Sequence, residues 1–153
     1  MKSRRREFFK SAGAAGAAGA MGSMALMAQA AEGGKRAKVQ GGVRLGNLFF
    51  SSGLTGVRPG ASKDPLSFGG DIKEQTERIL QAHKTNLEAL GSSLENVLKV
   101  TVFMADVKTE KNAMNEIYGK FFPKEAPARS AFGVEFPDTQ TRVEIELVAW
   151  IPG

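Results

Sequence analysis

The chain has 153 residues, 42% of them hydrophobic, which suits a single globular domain rather than a disordered chain. It contains no cysteine and one histidine, so disulfides and thiolate chemistry are excluded, and a histidine-built metal site or catalytic triad is disfavoured. Of the net charge of +5, residues 1–30 carry +4 (Lys2, Arg4, Arg5, Arg6 and Lys10 against Glu7); 5 − 4 leaves +1, a near-neutral remainder that does not suit nucleic-acid binding.

The first 30 residues read as a cleavable export signal, with a basic start, a mildly apolar Gly/Ala-rich stretch, and Ala28-Gln29-Ala30 before the cleavage point. Arg5-Arg6-Glu7-Phe8-Phe9-Lys10 resembles the twin-arginine consensus, and the weakly apolar stretch suits that route better than the general secretory one. The expected partner during export is the twin-arginine translocase. The expected destination of the domain over 31–153 is the periplasm, or the outside of a cell with one membrane. The bland alternative is a disordered basic tail.

Val39–Leu45 and Leu48–Ser52 are predicted strands, joined at Gly46-Asn47. Ser51-Ser52-Gly53 ends the second, and Gly53 could let a ligand approach the main chain or could be a plain turn glycine. Residues 57–70 form a predicted loop rich in Pro, Gly and Ser. Asp71 is placed to cap a helix that runs to Leu90 and stops at Gly91. Ile72, Ile79, Leu80, Leu87 and Leu90 recur at helical spacing and should face a sheet. His83, in the same helix, reads as a plain helix-face residue.

Leu98–Met104 is the next predicted strand, and Lys111–Phe122 the second helix. The apolar face of that helix is Met114, Ile117, Tyr118, Phe121 and Phe122, which reads as core. Asn115 is polar amid it. Ser130–Phe136 and Val143–Ile151 then alternate as strands around Pro137-Asp138, which predicts a β-hairpin. Arg129 and Glu144 would lie near one end of that ladder, on opposite strands. Arg129 could bind a carboxylate or phosphate bidentately, and Glu144 could orient a water. Equally, the two could form a structural cross-strand ion pair.

PARSAFGVEFP followed by VEIELVA resembles the signature of the RidA/YjgF family, also called endoribonuclease L-PSP-like or reactive intermediate deaminase proteins. VQGGVRLGNLFFSSG, DIKEQTERILQAHKTNLEALGSSLENVLKVTVFMAD and NAMNEIYGKFFPKEAPARS extend the resemblance over residues 38 to 151 in unbroken order. The predicted order β-β-α-β-α-β-β gives an α+β domain, a mixed sheet with two helices on one face. The resemblance implies the chorismate-mutase-like fold, a homotrimer, and ligand clefts between subunits.

Deaminase-type members of the family hydrolyse 2-imino acids to 2-oxo acids and ammonia, with no metal or organic cofactor. The resemblance assigns carboxylate binding to Arg129 and the attacking water to Glu144. It brings the substrate against the backbone of Gly53 and puts Ala131 in the binding cleft. Asn115 becomes a supporting residue behind the site, and Glu146, on the same face as Glu144, receives no catalytic role. Ala131 stands where such members usually have cysteine or serine, Lys38 where they have tyrosine, and Leu54 where glutamine is common. The expected ligands are therefore small 2-imino or 2-oxo carboxylates. The alternatives are a non-catalytic trimeric carboxylate-binding protein and, against the charge and export readings, a ribonuclease or translation inhibitor.

Overall fold

The computed structural model describes residues 34–56 and 69–153. The expected export signal over 1–30 and most of the expected loop over 57–70 lie outside the described residues. Seven strands and two helices follow in order: β1 (Arg36–Val39), β2 (Gly42–Leu45), β3 (Leu48–Ser51), β4 (Leu54–Thr55), α1 (Ile72–Ala89), β5 (Val97–Met104), α2 (Val107–Phe121), β6 (Ala128–Gly133) and β7 (Val143–Trp150). A 3-10 turn at Leu94–Asn96 precedes β5.

Helix α1 follows the chemistry of its ends. The Asp71 side chain accepts from the Glu74 amide at 2.9 Å, and Glu74 accepts in return from the Asp71 amide at 3.2 Å. This capping box satisfies two otherwise orphaned donors, and such a cap contributes about 1 kcal/mol. Ile72, Ile79, Leu80 and Leu87 are buried as their spacing requires. Helix α2 begins a turn earlier than the apolar pattern indicates, because Asp106 accepts from the amides of Lys108 and Thr109, both at 3.1 Å.

The strands run β1-β2-β3-β7-β5-β6 across one mixed sheet, with β4 also paired to β7. Both helices pack on one face, over Val100, Val102, Met104, Ile145 and Leu147. Burying each such side chain contributes roughly 1.5–3 kcal/mol. The α+β architecture with helices on one face is as expected, but three details differ.

The predicted strand Val39–Leu45 is interrupted: Val39 ends β1, which begins earlier at Arg36, and Gly42–Leu45 is β2, because Gln40-Gly41 turns the chain with Gly41 at φ 76°. A side chain with a Cβ is strained at that angle. Next, β4 is a strand that apolar patterning did not indicate. Three residues separate Phe50 from Leu54, whereas two separate their partners Val148 and Ile145, so a β-bulge lies between β3 and β4.

The third difference changes the site. β6 and β7 are not a hairpin: β5 lies between them, parallel to β6 and antiparallel to β7. The reason is that β5, α2 and β6 form a crossover unit, which places β6 beside β5 in parallel. Residues 134–142 then carry the chain to the other side of β5. Asp138 does make turn chemistry there, accepting from the amides of Gln140 and Thr141 at 2.8 and 2.7 Å.

Candidate functional site

Arg129 lies on β6, with Val100 of β5 as its partner. Its side chain runs to the helix side of the sheet, where its guanidinium carbon sits 4.5 Å from the centre of the Tyr118 ring. Its only other polar neighbour among the described residues is the Met114 sulfur, 4.0 Å from Nη1, a weak contact. Among the described residues Arg129 makes no ion pair. Tyr118 is itself fixed by Phe122, at 4.6 Å between ring centres. Burial pushes the Tyr118 phenol up to about 12, against the opposing effect of the Arg129 charge. A half-buried guanidinium placed over an aromatic ring, with no carboxylate partner among the described residues, is suited to gripping a planar anion.

Glu144 is built differently. It lies near the start of β7, between Thr55 of β4 and Phe103 of β5. Its carboxylate rests on the main chain of Gly53, in the bulge: a Cβ added to Gly53 would stand 1.8 Å from Glu144 Oε1 and 2.8 Å from Cδ. Only glycine accommodates the carboxylate in that place. The glycine expected to admit a ligand thus admits the proposed water-holding group itself.

These two charged residues do not meet within one chain. Their partners on β5, Val100 and Phe103, are three positions apart and so project from opposite faces of the sheet. Arg129 accordingly belongs to the helix face and Glu144 to the open face. Neither the expected shared ladder end nor the alternative ion pair between them is present. Ala131, two residues beyond Arg129 on the same side, is packed against the core. Asn115, on α2 next to Met114, has its Oδ1 buried without a hydrogen-bond partner among the described residues. Tyr118 is core, as its place in the apolar stripe indicates, and its ring also carries Arg129, a contact that the stripe does not signal.

The open face carries Glu144 and Glu146, and Lys99, whose ammonium donates to Ser130 Oγ at 2.7 Å. Around them stand Leu48, Phe50, Phe132 and Trp150, which are 37–53% exposed. Phe132 stacks on Phe103 at 6.4 Å. A concavity of about 710 Å³ lies elsewhere, between the C-terminal ends of α1 and α2, and neither Arg129 nor Glu144 lines it. Among the described residues no three His, Asp or Glu side chains gather in a metal-binding group.

His83 departs from its expectation as a plain helix-face residue. It is fully buried, and its Nε2 donates to the Ile145 carbonyl at 2.9 Å, one residue from Glu144. Burial lowers its pKa below the usual histidine value, so the ring is neutral at pH 7.

The architecture is that of an α+β, chorismate-mutase-like protein. Solved structures share it: a putative endoribonuclease from Thermotoga maritima superposes with a TM-score of 0.65 at 36% identity, over 76% of this chain and 89% of that one. Yeast Mmf1 gives 0.64 at 31% identity, over 78% and 91%. The chain belongs to the Endoribonuclease L-PSP family, whose sequence model matches residues 35–151. It is 37% identical over 108 residues to a RutC family protein of Pyrococcus horikoshii, covering 71% of this chain and 82% of that one. It is 36% identical over 107 residues to the human 2-iminobutanoate/2-iminopropanoate deaminase, covering 70% and 75%.

Proposed function

We propose that the chain hydrolyses small 2-imino acids to 2-oxo acids and ammonia, in clefts formed between copies of a homotrimer. The observation that carries this reading is the state of Arg129, a guanidinium oriented on Tyr118 and left without a carboxylate partner among the described residues. The substrate carboxylate completes it. Because Glu144 projects from the opposite face, the cleft joins Arg129 of one copy to Glu144 of a neighbour. The names of the related deaminases support the reaction class.

The chemistry needs positioning more than a nucleophilic side chain, because the iminium carbon is already electrophilic. Arg129 fixes the carboxylate. Glu144 accepts a proton from a water as its oxygen bonds to that carbon, forming a carbinolamine. That proton passes from Glu144 to nitrogen; the C–N bond then breaks as the carbinol hydroxyl gives its proton to Glu144 and C=O forms, and the departing ammonia takes up this second proton as ammonium. The iminium acid and water thus become the 2-oxo acid and ammonium.

The test is ammonia release by the purified protein from imines generated in situ by an amino-acid oxidase. Arg129→Ala should raise KM about tenfold to a hundredfold, the loss expected for charge-assisted hydrogen bonds. Glu144→Ala should lower kcat about 10²- to 10⁴-fold. Wild-type turnover equal to the buffer blank across several imines would remove the reaction.

A second reading, binding without turnover, is favoured by Ala131, whose methyl offers the cleft no hydrogen bond. Calorimetry would then find saturable binding of small carboxylates that Arg129→Ala abolishes. The leader over 1–30 carries the domain through the twin-arginine translocase to the periplasm or beyond. Replacing Arg5 and Arg6 with lysine should hold the chain in the cytoplasm; unchanged export would exclude that route.

A further inference from the structure

We propose that Gln75 and Arg78 of α1 are positioning residues for the Glu144 carboxylate, acting through the backbone on both sides of it. The need for such a device follows from β4. A strand of two residues, Leu54–Thr55, has little pairing of its own, yet Thr55 is the residue that sits opposite Glu144. The bulge just before it holds Gly53, on which the carboxylate rests. Left to itself, this edge would fray, and the seat of Glu144 with it.

Helix α1 supplies what the strand lacks. Arg78 donates from Nε to the Gly56 carbonyl at 3.1 Å and from Nη2 to the Gly69 carbonyl at 2.7 Å. One guanidinium therefore holds the residue next to Thr55 and a second segment distant in sequence. Gln75, one helical turn earlier and on the same side of α1, is completely buried. Its aliphatic stem lies against Gly56, where an added Cβ would come within 2.6 Å of Gln75 Cβ.

The Gln75 amide group is fully engaged. Nε2 donates to the carbonyls of Gly70 and Gln140, at 3.2 and 2.9 Å. Oε1 accepts from the Arg142 amide at 3.0 Å, two residues before Glu144. The two side chains thus tie α1 to residues 56, 69–70 and 140–142. These segments flank the Thr55–Glu144 pair, so its alignment is set from the helix face while the carboxylate itself lies on the open one. The role in turnover rests on the reading of Glu144 given above; the restraint on the backbone does not.

Hydrogen exchange of the purified chain, followed in peptides spanning 48–56 and 140–146, tests the restraint without any substrate. Arg78→Met keeps an unbranched apolar stem and removes both donors. It should speed exchange in those peptides about tenfold or more, the effect of losing charge-assisted hydrogen bonds, and leave β5 unchanged. In the imine assay, well below the melting temperature, it should lower kcat about tenfold to a hundredfold with KM nearly unchanged. Arg78→Lys, which retains the charge but not the fork, should fall between, and serves if Arg78→Met does not fold.

Exchange that rises uniformly over the whole chain, or does not rise at 48–56, would overturn the restraint. Selective loosening with wild-type kcat would overturn the catalytic role. If the wild-type protein turns over no imine, the deaminase reading falls by itself, and exchange still decides whether the two residues hold the edge.

Discussion

The two faces of the sheet solve opposite problems with the same strands. On the helix face, Val100, Val102, Ile145 and Leu147 are sealed under α1 and α2, and Arg129 reaches that side only at the outer strand, β6. There a side chain is steered by another side chain, the ring of Tyr118. On the open face, Phe50 and Trp150 remain 43% and 44% exposed, and Glu144 is steered by a backbone, that of Gly53. The contrast teaches that a cation and a carboxylate can share one small domain without neutralising each other, because the sheet itself keeps them apart. In the proposed reading, a second copy would bring the anion anchor and the water-orienting group together.

The strongest way to break this contrast is to make the open face repel its own kind. Phe50→Glu combined with Trp150→Glu places carboxylates where the neighbour would have to bury them unpaired, at a cost of several kcal/mol each. Sedimentation should show monomers in place of the proposed trimers, with turnover lost and the helix-side core still folded. Trimers that persist in the double variant would move the interface elsewhere.

Gly53→Val has the next largest effect. The new side chain claims the space of the Glu144 carboxylate, which must swing away. Turnover should fall on the order of a hundredfold, as expected for misplacing a catalytic group by about 1 Å. Carboxylate binding at Arg129 and the melting temperature should change little, because the displaced group is the far end of a flexible side chain. A variant that keeps full kcat would detach Glu144 from the chemistry.

The smallest effect belongs to the helix face. The pKa of His83 is lowered in the folded chain by burial, so as pH falls below about 6.5 the unfolded chain takes up a proton first. Stability is complete above that pH and declines as pH falls toward the folded pKa. The slope from this group is at most about 1.4 kcal/mol per pH unit. Urea midpoints between pH 7.5 and 5.5 should show this slope in the wild type and lose it in His83→Gln. An unchanged slope would assign the titration to another group.

What could be read from the sequence was whatever the chain states locally. Asp71 and Gly91 mark the ends of α1, and the alternation from Leu98 to Met104 marks β5. The partner of each strand is not a local property. Alternation in β6 and β7 is equally compatible with pairing to each other or with both pairing to β5, and the crossover through α2 decides the matter. The same ambiguity underlies the expectation that Arg129 and Glu144 lie near one end of a shared ladder. Gly53 was identifiable as a position where something approaches the main chain, though the nearest occupant proved to be Glu144. The ties made by Gln75 and Arg78 were hidden, since polar residues in a helix announce nothing about which distant carbonyls they meet.

The position of β7 also governs when this sheet can exist. It joins β3, β4 and β5, and the ribosome makes it after all of them. Until it emerges, the hairpins and helices already synthesised have no common strand to dock on, and their apolar sides stay open to water. Assembly must therefore wait on synthesis rather than proceed piece by piece beside it. A premature stop anywhere before residue 143 would therefore leave β3, β4 and β5 without the one strand that joins them.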